Sequence, residues 1–105
     1  MRRPLTPYIE ILEGLVSGRI TPLEFRTRTI EQFGRIDAGV HWSREWGQGV
    51  ADALDQMDGD AEVYYPECPE ESYITFEELQ QSCRENLRRL QEAQRKCGPA
   101  TDDGS

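Results

Sequence analysis

The chain has 105 residues, 36% of them hydrophobic and 9% aromatic, and carries a formal net charge of −8. That length supports one small domain, and the aromatic content argues against a disordered chain. The acidity argues against direct nucleic-acid binding, which requires Lys and Arg to neutralise phosphates, and no apolar run approaches the ~18 residues of a membrane span.

The opening residues, Met1-Arg2-Arg3-Pro4-Leu5, are charged, but Glu10 and Glu13 interrupt the apolar residues that follow. The segment is therefore not read as a signal peptide, and the expected location is the cytoplasm. A single helical domain is expected over 1–97, with 98–105 as a flexible tail.

Thr6-Pro7 predicts a helix start, with a hydroxyl N-cap and proline at the first helical position. Tyr8, Ile11 or Leu12, and Leu15 follow at three-to-four spacing, with Ile9 and Val16 widening the stripe. Gly18 stands where a left-handed residue ends a helix, which places the first helix at about 7–17. Thr21-Pro22-Leu23-Glu24 combines a hydroxyl cap, an N1 proline and an N3 glutamate, a capping box. It opens a second helix at about 22–36, with Phe25, Ile30, Phe33 and Ile36 as core candidates. The short connection predicts an antiparallel pair.

Ser43 is the expected cap of a third helix at about 44–58. Trp46, Val50, Leu54 and Met57 recur at helical spacing, and Trp42 and Trp46 are expected to pack inward. Asp52, Asp55 and Asp58, three apart, share one face. Residues 59–74, with Gly59, Pro66 and Pro69, read as a long loop pinned to the body by Tyr64, Tyr65 and Tyr73. Thr75-Phe76-Glu77-Glu78 is a second capping box. Leu79, Cys83, Leu87, Leu90 and Ala93 carry a last helix at about 76–96, which Gly98-Pro99 ends. The predicted architecture is all-α: an antiparallel four-helix bundle with a long acidic loop between helices 3 and 4.

The charges are segregated. Twelve of the 20 acidic residues lie between Asp37 and Glu78, where Arg44 is the only basic residue. Residues 1–36 sum to +2, 37–78 to −11 and 79–105 to +1. Like charges this dense repel and cost stability, and solubility alone does not require them to gather. A fold that holds them together presents a field suited to a basic partner. One large class of basic protein surface is the active site of a nuclease.

Catalytic and metal chemistry find little support. Asp58, Asp60 and Glu62 have the spacing that opens a calcium loop. However, Val63 replaces the expected glycine, and Pro69 stands where a bidentate carboxylate is needed. Cys68, Cys83 and Cys97, separated by 15 and 14, match no zinc or redox pattern and are read as reduced thiols. His41, the single histidine, accompanies no nucleophile motif and is read as a boundary residue. Gly47-Gln48-Gly49 is too short for a phosphate loop and follows no strand. No catalytic residue, metal or cofactor is expected.

The run from Tyr8 through Gly18, Arg19-Ile20-Thr21-Pro22 and Leu23-Glu24-Phe25 resembles the first helical hairpin of the colicin D immunity protein family. Leu54-Asp55, Asp58-Gly59-Asp60, the Tyr64 region, Pro66 and Tyr73-Ile74-Thr75-Phe76-Glu77-Glu78-Leu79 continue the likeness. A leucine-bearing last helix follows, so the similarity covers about residues 8–92. The chain departs from the pattern at 37–49, with its two Trp and three Gly.

The resemblance implies a cytoplasmic immunity protein that binds the nuclease domain of a cognate toxin, tRNA-cleaving in the type member. Its acidic surface would occupy a basic catalytic cleft as a monomer in a 1:1 complex, with neither membrane nor direct nucleic-acid contact. The expected toxin-binding residues are Asp52, Asp55, Asp58, Asp60, Glu62, Glu67, Glu70 and Glu71, with Tyr64 or Tyr65 as apolar anchor. Two other classes compete: a non-catalytic acidic adaptor or antitoxin acting on another basic protein, and an acidic enzyme.

Overall fold

The computed structural model describes residues 4–34 and 42–97. Five α-helices occupy most of them: α1 (Thr6–Ser17), α2 (Pro22–Gly34), α3 (Trp42–Trp46), α4 (Gln48–Val63) and α5 (Phe76–Cys97). A 3-10 turn, Pro69–Glu71, lies between α4 and α5. The architecture is all-helical, and no strand occurs among the described residues. His41, Ile36, the expected Gly98-Pro99 stop and the expected tail lie outside the described residues.

Helix α1 starts one residue earlier than the Thr6 cap predicts. Leu5 is fully buried, and its carbonyl accepts the amides of Tyr8 and Ile9, both at 3.0 Å. Anchoring Leu5 in the core makes it the cap residue, draws Thr6 into the helix and leaves no side-chain cap. The other end follows the sequence. Gly18 is left-handed at φ 81°, a conformation that costs glycine little. The returning chain is closed by Arg19 and Ile20 amides on the Gly14 carbonyl at 2.9 and 3.1 Å.

Both capping boxes form. The Thr21 hydroxyl accepts the Glu24 amide at 3.1 Å while the Glu24 carboxylate accepts the Thr21 amide at 3.0 Å. Thr75 and Glu78 repeat the exchange at 3.0 and 2.9 Å. Each box satisfies two amide donors left open at a helix start.

The third predicted helix is two helices. Gly47, at φ 100°, breaks the chain between α3 and α4, so the predicted Ser43 cap falls inside α3. Helix α4 then runs through Gly59 to Val63. The loop begins at Tyr64, five residues later than the sequence predicts. The apolar stripe explains this: Val50, Ala53, Leu54, Met57, Ala61 and Tyr64 are all buried, and ending at 58 would leave the last two without a helix to aim them.

Four of the helices close a cycle of packing, α1 on α2, α2 on α4, α4 on α5 and α5 on α1, with α3 against α4. Tyr8 joins three elements, with its ring centroid 5.1 Å from Phe33 and 5.4 Å, edge-on, from Trp42. Trp46 is buried and Trp42 partly so, as expected. On α2 the core side is Phe25, Thr29 and Phe33. Ile30, expected inside, is half-exposed because it lies one residue, about 100°, off that stripe.

Candidate partner-binding surface

Helix α4 turns its apolar stripe inward and its carboxylates outward. Asp52 and Asp55 are exposed, Asp58 is partly exposed and Glu62 is exposed. Asp55, Asp58 and Glu62 stand at i, i+3 and i+7, with Asp52 one turn before them. A helix places such positions along one stripe, about 15 Å from Asp52 to Glu62. The spacing read from sequence as a shared face is therefore realised and extended by a turn.

The crowding has an electrostatic cost. The Asp58 carboxyl is pushed above its ordinary 3.8, first by partial desolvation, then by repulsion from Glu62 and from Asp55. Asp52 receives a 2.8 Å hydrogen bond from the Gln48 amide. Among the described residues, no cation pairs with Asp52, Asp55, Asp58, Glu62, Glu70 or Glu71. The chain offers none locally, since no Lys, Arg or His occurs from Glu45 to Cys83.

Asp60 is placed differently from its neighbours. It is buried at 3% exposure rather than facing solvent. Its carboxylate accepts a 2.6 Å hydrogen bond from the Ser82 hydroxyl of α5 and a 3.0 Å bond from the Gln56 side-chain amide. Asn86, also buried, donates to the Ser82 oxygen at 3.4 Å. Burial raises the Asp60 carboxyl above 3.8, and the two hydrogen bonds pull the other way. The group ties α4 to α5. Because Asp58, Asp60 and Glu62 lie on a helix, Asp60 points well away from the other two, so the calcium-like spacing does not converge.

Beyond α4 the acidic surface continues through the loop. Glu67, Glu70 and Glu71 are exposed, the last two on the 3-10 turn. Arg26 of α2 reaches Glu67 at 3.7 Å and lies over the Tyr65 ring, 5.9 Å from its centroid. Tyr64 and Tyr65 pin the loop as expected, whereas Tyr73 does so only through its backbone. Ser72 Oγ accepts the Tyr65 amide at 2.7 Å, and the Tyr73 amide donates to the Val63 carbonyl at 3.0 Å.

The adjacent tyrosines diverge. Tyr64 is buried at 6% exposure with its ring 6.2 Å from Phe76, so it cannot serve as an outward anchor. Tyr65 is half-buried beneath Arg26. The exposed ring is Tyr73, at 77%, which sequence reading treated only as a pin. The alternation Ser72, Tyr73, Ile74 was the available signal: extended residues point to opposite sides, and Ile74 takes the inward one.

Cys68 is exposed and Cys83 buried, both as free thiols. Burial, and then Asp60, push the Cys83 thiol up to about 12, which leaves it un-ionised and inert at neutral pH. Among the described residues no group of three His, Cys, Asp or Glu side chains is arranged to hold a metal ion. No described helix is long and apolar enough to cross a membrane. What the surface offers is a band of outward carboxylates and an exposed aromatic ring, an arrangement suited to recognition of a cationic protein surface.

Compared with known proteins, the chain matches the family described as bacterial self-protective colicin-like immunity over residues 4–90. No curated protein and no solved structure matches it.

Proposed function

We propose, for a chain that belongs to the bacterial self-protective colicin-like immunity family, that it neutralises a colicin D-like nuclease toxin by laying its acidic surface over the toxin's basic active site. The observation that carries this reading is the outward row Asp52, Asp55, Asp58 and Glu62 on α4, continued by Glu67, Glu70 and Glu71. All seven belong to a stretch without a single cation. These carboxylates take the place of nucleic-acid phosphates against Lys, Arg and His side chains.

Inhibition by occlusion needs no chemistry from this chain, which acts as a binder and not as an enzyme. The packing cycle of α1, α2, α4 and α5 is in keeping with an antiparallel four-helix bundle. It gives α4 a packed backing, so the backbone that carries the carboxylates is in place before the partner arrives. Their field raises the encounter rate, toward ~10⁸–10⁹ per molar per second at low salt. Pairs that become desolvated on contact contribute most, at about 1.5–7 kcal/mol of coupling each, and rim pairs contribute little. The complex is 1:1, forms in the cytoplasm of the toxin-producing cell and involves neither membrane nor nucleic acid.

Asp60 and Tyr64, both buried, hold the helix and loop that carry the surface and do not touch the partner. The test is rescue. The candidate toxin is sought in the gene next to this one, and cells expressing its C-terminal domain survive when the chain is co-expressed. Death despite abundant folded protein contradicts the proposal.

A further inference from the structure

Among the described residues, the large apolar side chains that stand exposed are Tyr73 at 77%, Leu23 and Ile30 at 49% each, and Phe76 at 38%. Leu23 and Ile30 are seven residues apart on α2 and share one side of it with Arg26. Arg26 lies over Tyr65, and the Tyr65 ring meets Tyr73 edge-on with centroids 6.2 Å apart. One chain of contacts therefore joins the apolar side of α2 to the exposed ring of the loop. Arg26 also holds Glu67, and Glu70 and Glu71 stand on the turn just before Tyr73.

From this we infer that Tyr73, backed by Tyr65 and linked through Arg26 to the side of α2 that carries Leu23 and Ile30, is the apolar centre of the partner contact. Its occupant is a protein surface with an apolar pocket ringed by Lys and Arg. The inference rests on the proposed function and specifies the partner of that site. Charge complementarity selects the occupant: an apolar patch bordered by Glu67, Glu70 and Glu71 repels an acidic-rimmed surface, gives a neutral-rimmed one no attraction and attracts a cationic one.

The geometry favours an anchor over an incidental exposed tyrosine. The Tyr73 backbone is fixed by a hydrogen bond from its amide to the Val63 carbonyl, and its neighbour Ser72 is fixed to Tyr65. The loop backbone therefore loses little freedom on binding, and aromatic rings at interface centres dominate interface energetics. The carboxylates steer the approach, and the ring governs how long the complex lasts.

The test uses the full chain and the catalytically inactivated C-terminal domain of the neighbouring toxin, followed by binding kinetics. Tyr73→Ala is expected to speed dissociation at least tenfold with association nearly unchanged, and the loss persists at high salt. Tyr73→Phe keeps the ring and is expected to stay within about twofold of the parent chain. Leu23→Ser with Ile30→Ser reproduces part of the Tyr73→Ala effect. All these positions are solvent-exposed, and an unchanged far-ultraviolet circular dichroism spectrum confirms that the variants fold. If Tyr73→Ala dissociates at the parental rate while Glu70→Gln with Glu71→Gln slows association, the anchor is overturned and the acidic surface stands. If the unmutated chain does not bind, both readings fall together.

Discussion

The Ser82 hydroxyl of α5 donates a 2.6 Å hydrogen bond to the Asp60 carboxylate of α4. A carboxylate in the middle of the most acidic part of the chain thus faces the core, where it joins two helices that each carry an exposed, charged side. Asp60 is 3% exposed, and burial raises its carboxyl above 3.8. The folded chain therefore holds the Asp60 proton more tightly than the unfolded chain does. The stability linked to this group is fully present below 3.8 and is lost as pH rises through the folded value. Asp60→Asn stays neutral throughout. Urea unfolding at stepped pH should show the parent losing ground to Asp60→Asn across that window. Parallel pH profiles would show that Asp60 titrates as it does in the unfolded chain.

Asp58 makes the corresponding statement about binding. Desolvation, Glu62 and Asp55 together raise its carboxyl above 3.8, and a cationic partner reverses that effect by favouring the ionised form. Affinity for the toxin domain should therefore climb as pH rises through the raised value that Asp58 has in the free chain, then level off. Calorimetric titration should show the climb reduced in Asp58→Asn. An identical pH profile in both chains would remove Asp58 from the contact.

Gly59 sits inside α4 without a left-handed φ, and a Cβ built there meets nothing within 4 Å. Glycine in a helix interior costs about 0.5–1 kcal/mol relative to alanine. Gly59→Ala should stabilise the chain by that amount in chemical denaturation and leave toxin binding unchanged. Destabilisation would mean that α4 is not continuous at this point.

That glycine also shows where sequence reading stops. Gly59, between two aspartates, looks like a helix end, yet Ala61 and Tyr64 prolong the buried stripe of Met57 and carry the helix past it. Tertiary burial outweighed local propensity. The same misplaced boundary put Asp60 in a loop, where a carboxylate faces water. On the helix it takes a core-facing position three residues after Met57. Both capping boxes, the Gly18 terminus and the apolar stripes of α1 and α5 were legible because each depends on residues three or four apart. The roles of Tyr73 and Ser82 depend on contacts between distant segments, which local spacing does not report.

Thr29 is fully buried on α2, and its hydroxyl has no hydrogen-bond partner among the described residues. Valine has nearly the same shape without the stranded polar atom, whose desolvation costs about 1–3 kcal/mol. Thr29→Val should raise the thermal midpoint by several degrees in a domain of this size. A lowered midpoint would show that the hydroxyl is satisfied in solution.

In the proposed complex the outward carboxylates of α4 recruit a basic partner. The most direct test is the association rate of the toxin domain with the parent chain and with Asp55→Asn/Asp58→Asn/Glu62→Gln, at low and at high salt. Predicted at low salt is association at least tenfold slower for the triple variant, with the two rates converging as salt screens the field. Equal rates at low salt, with both chains folded, would contradict the account.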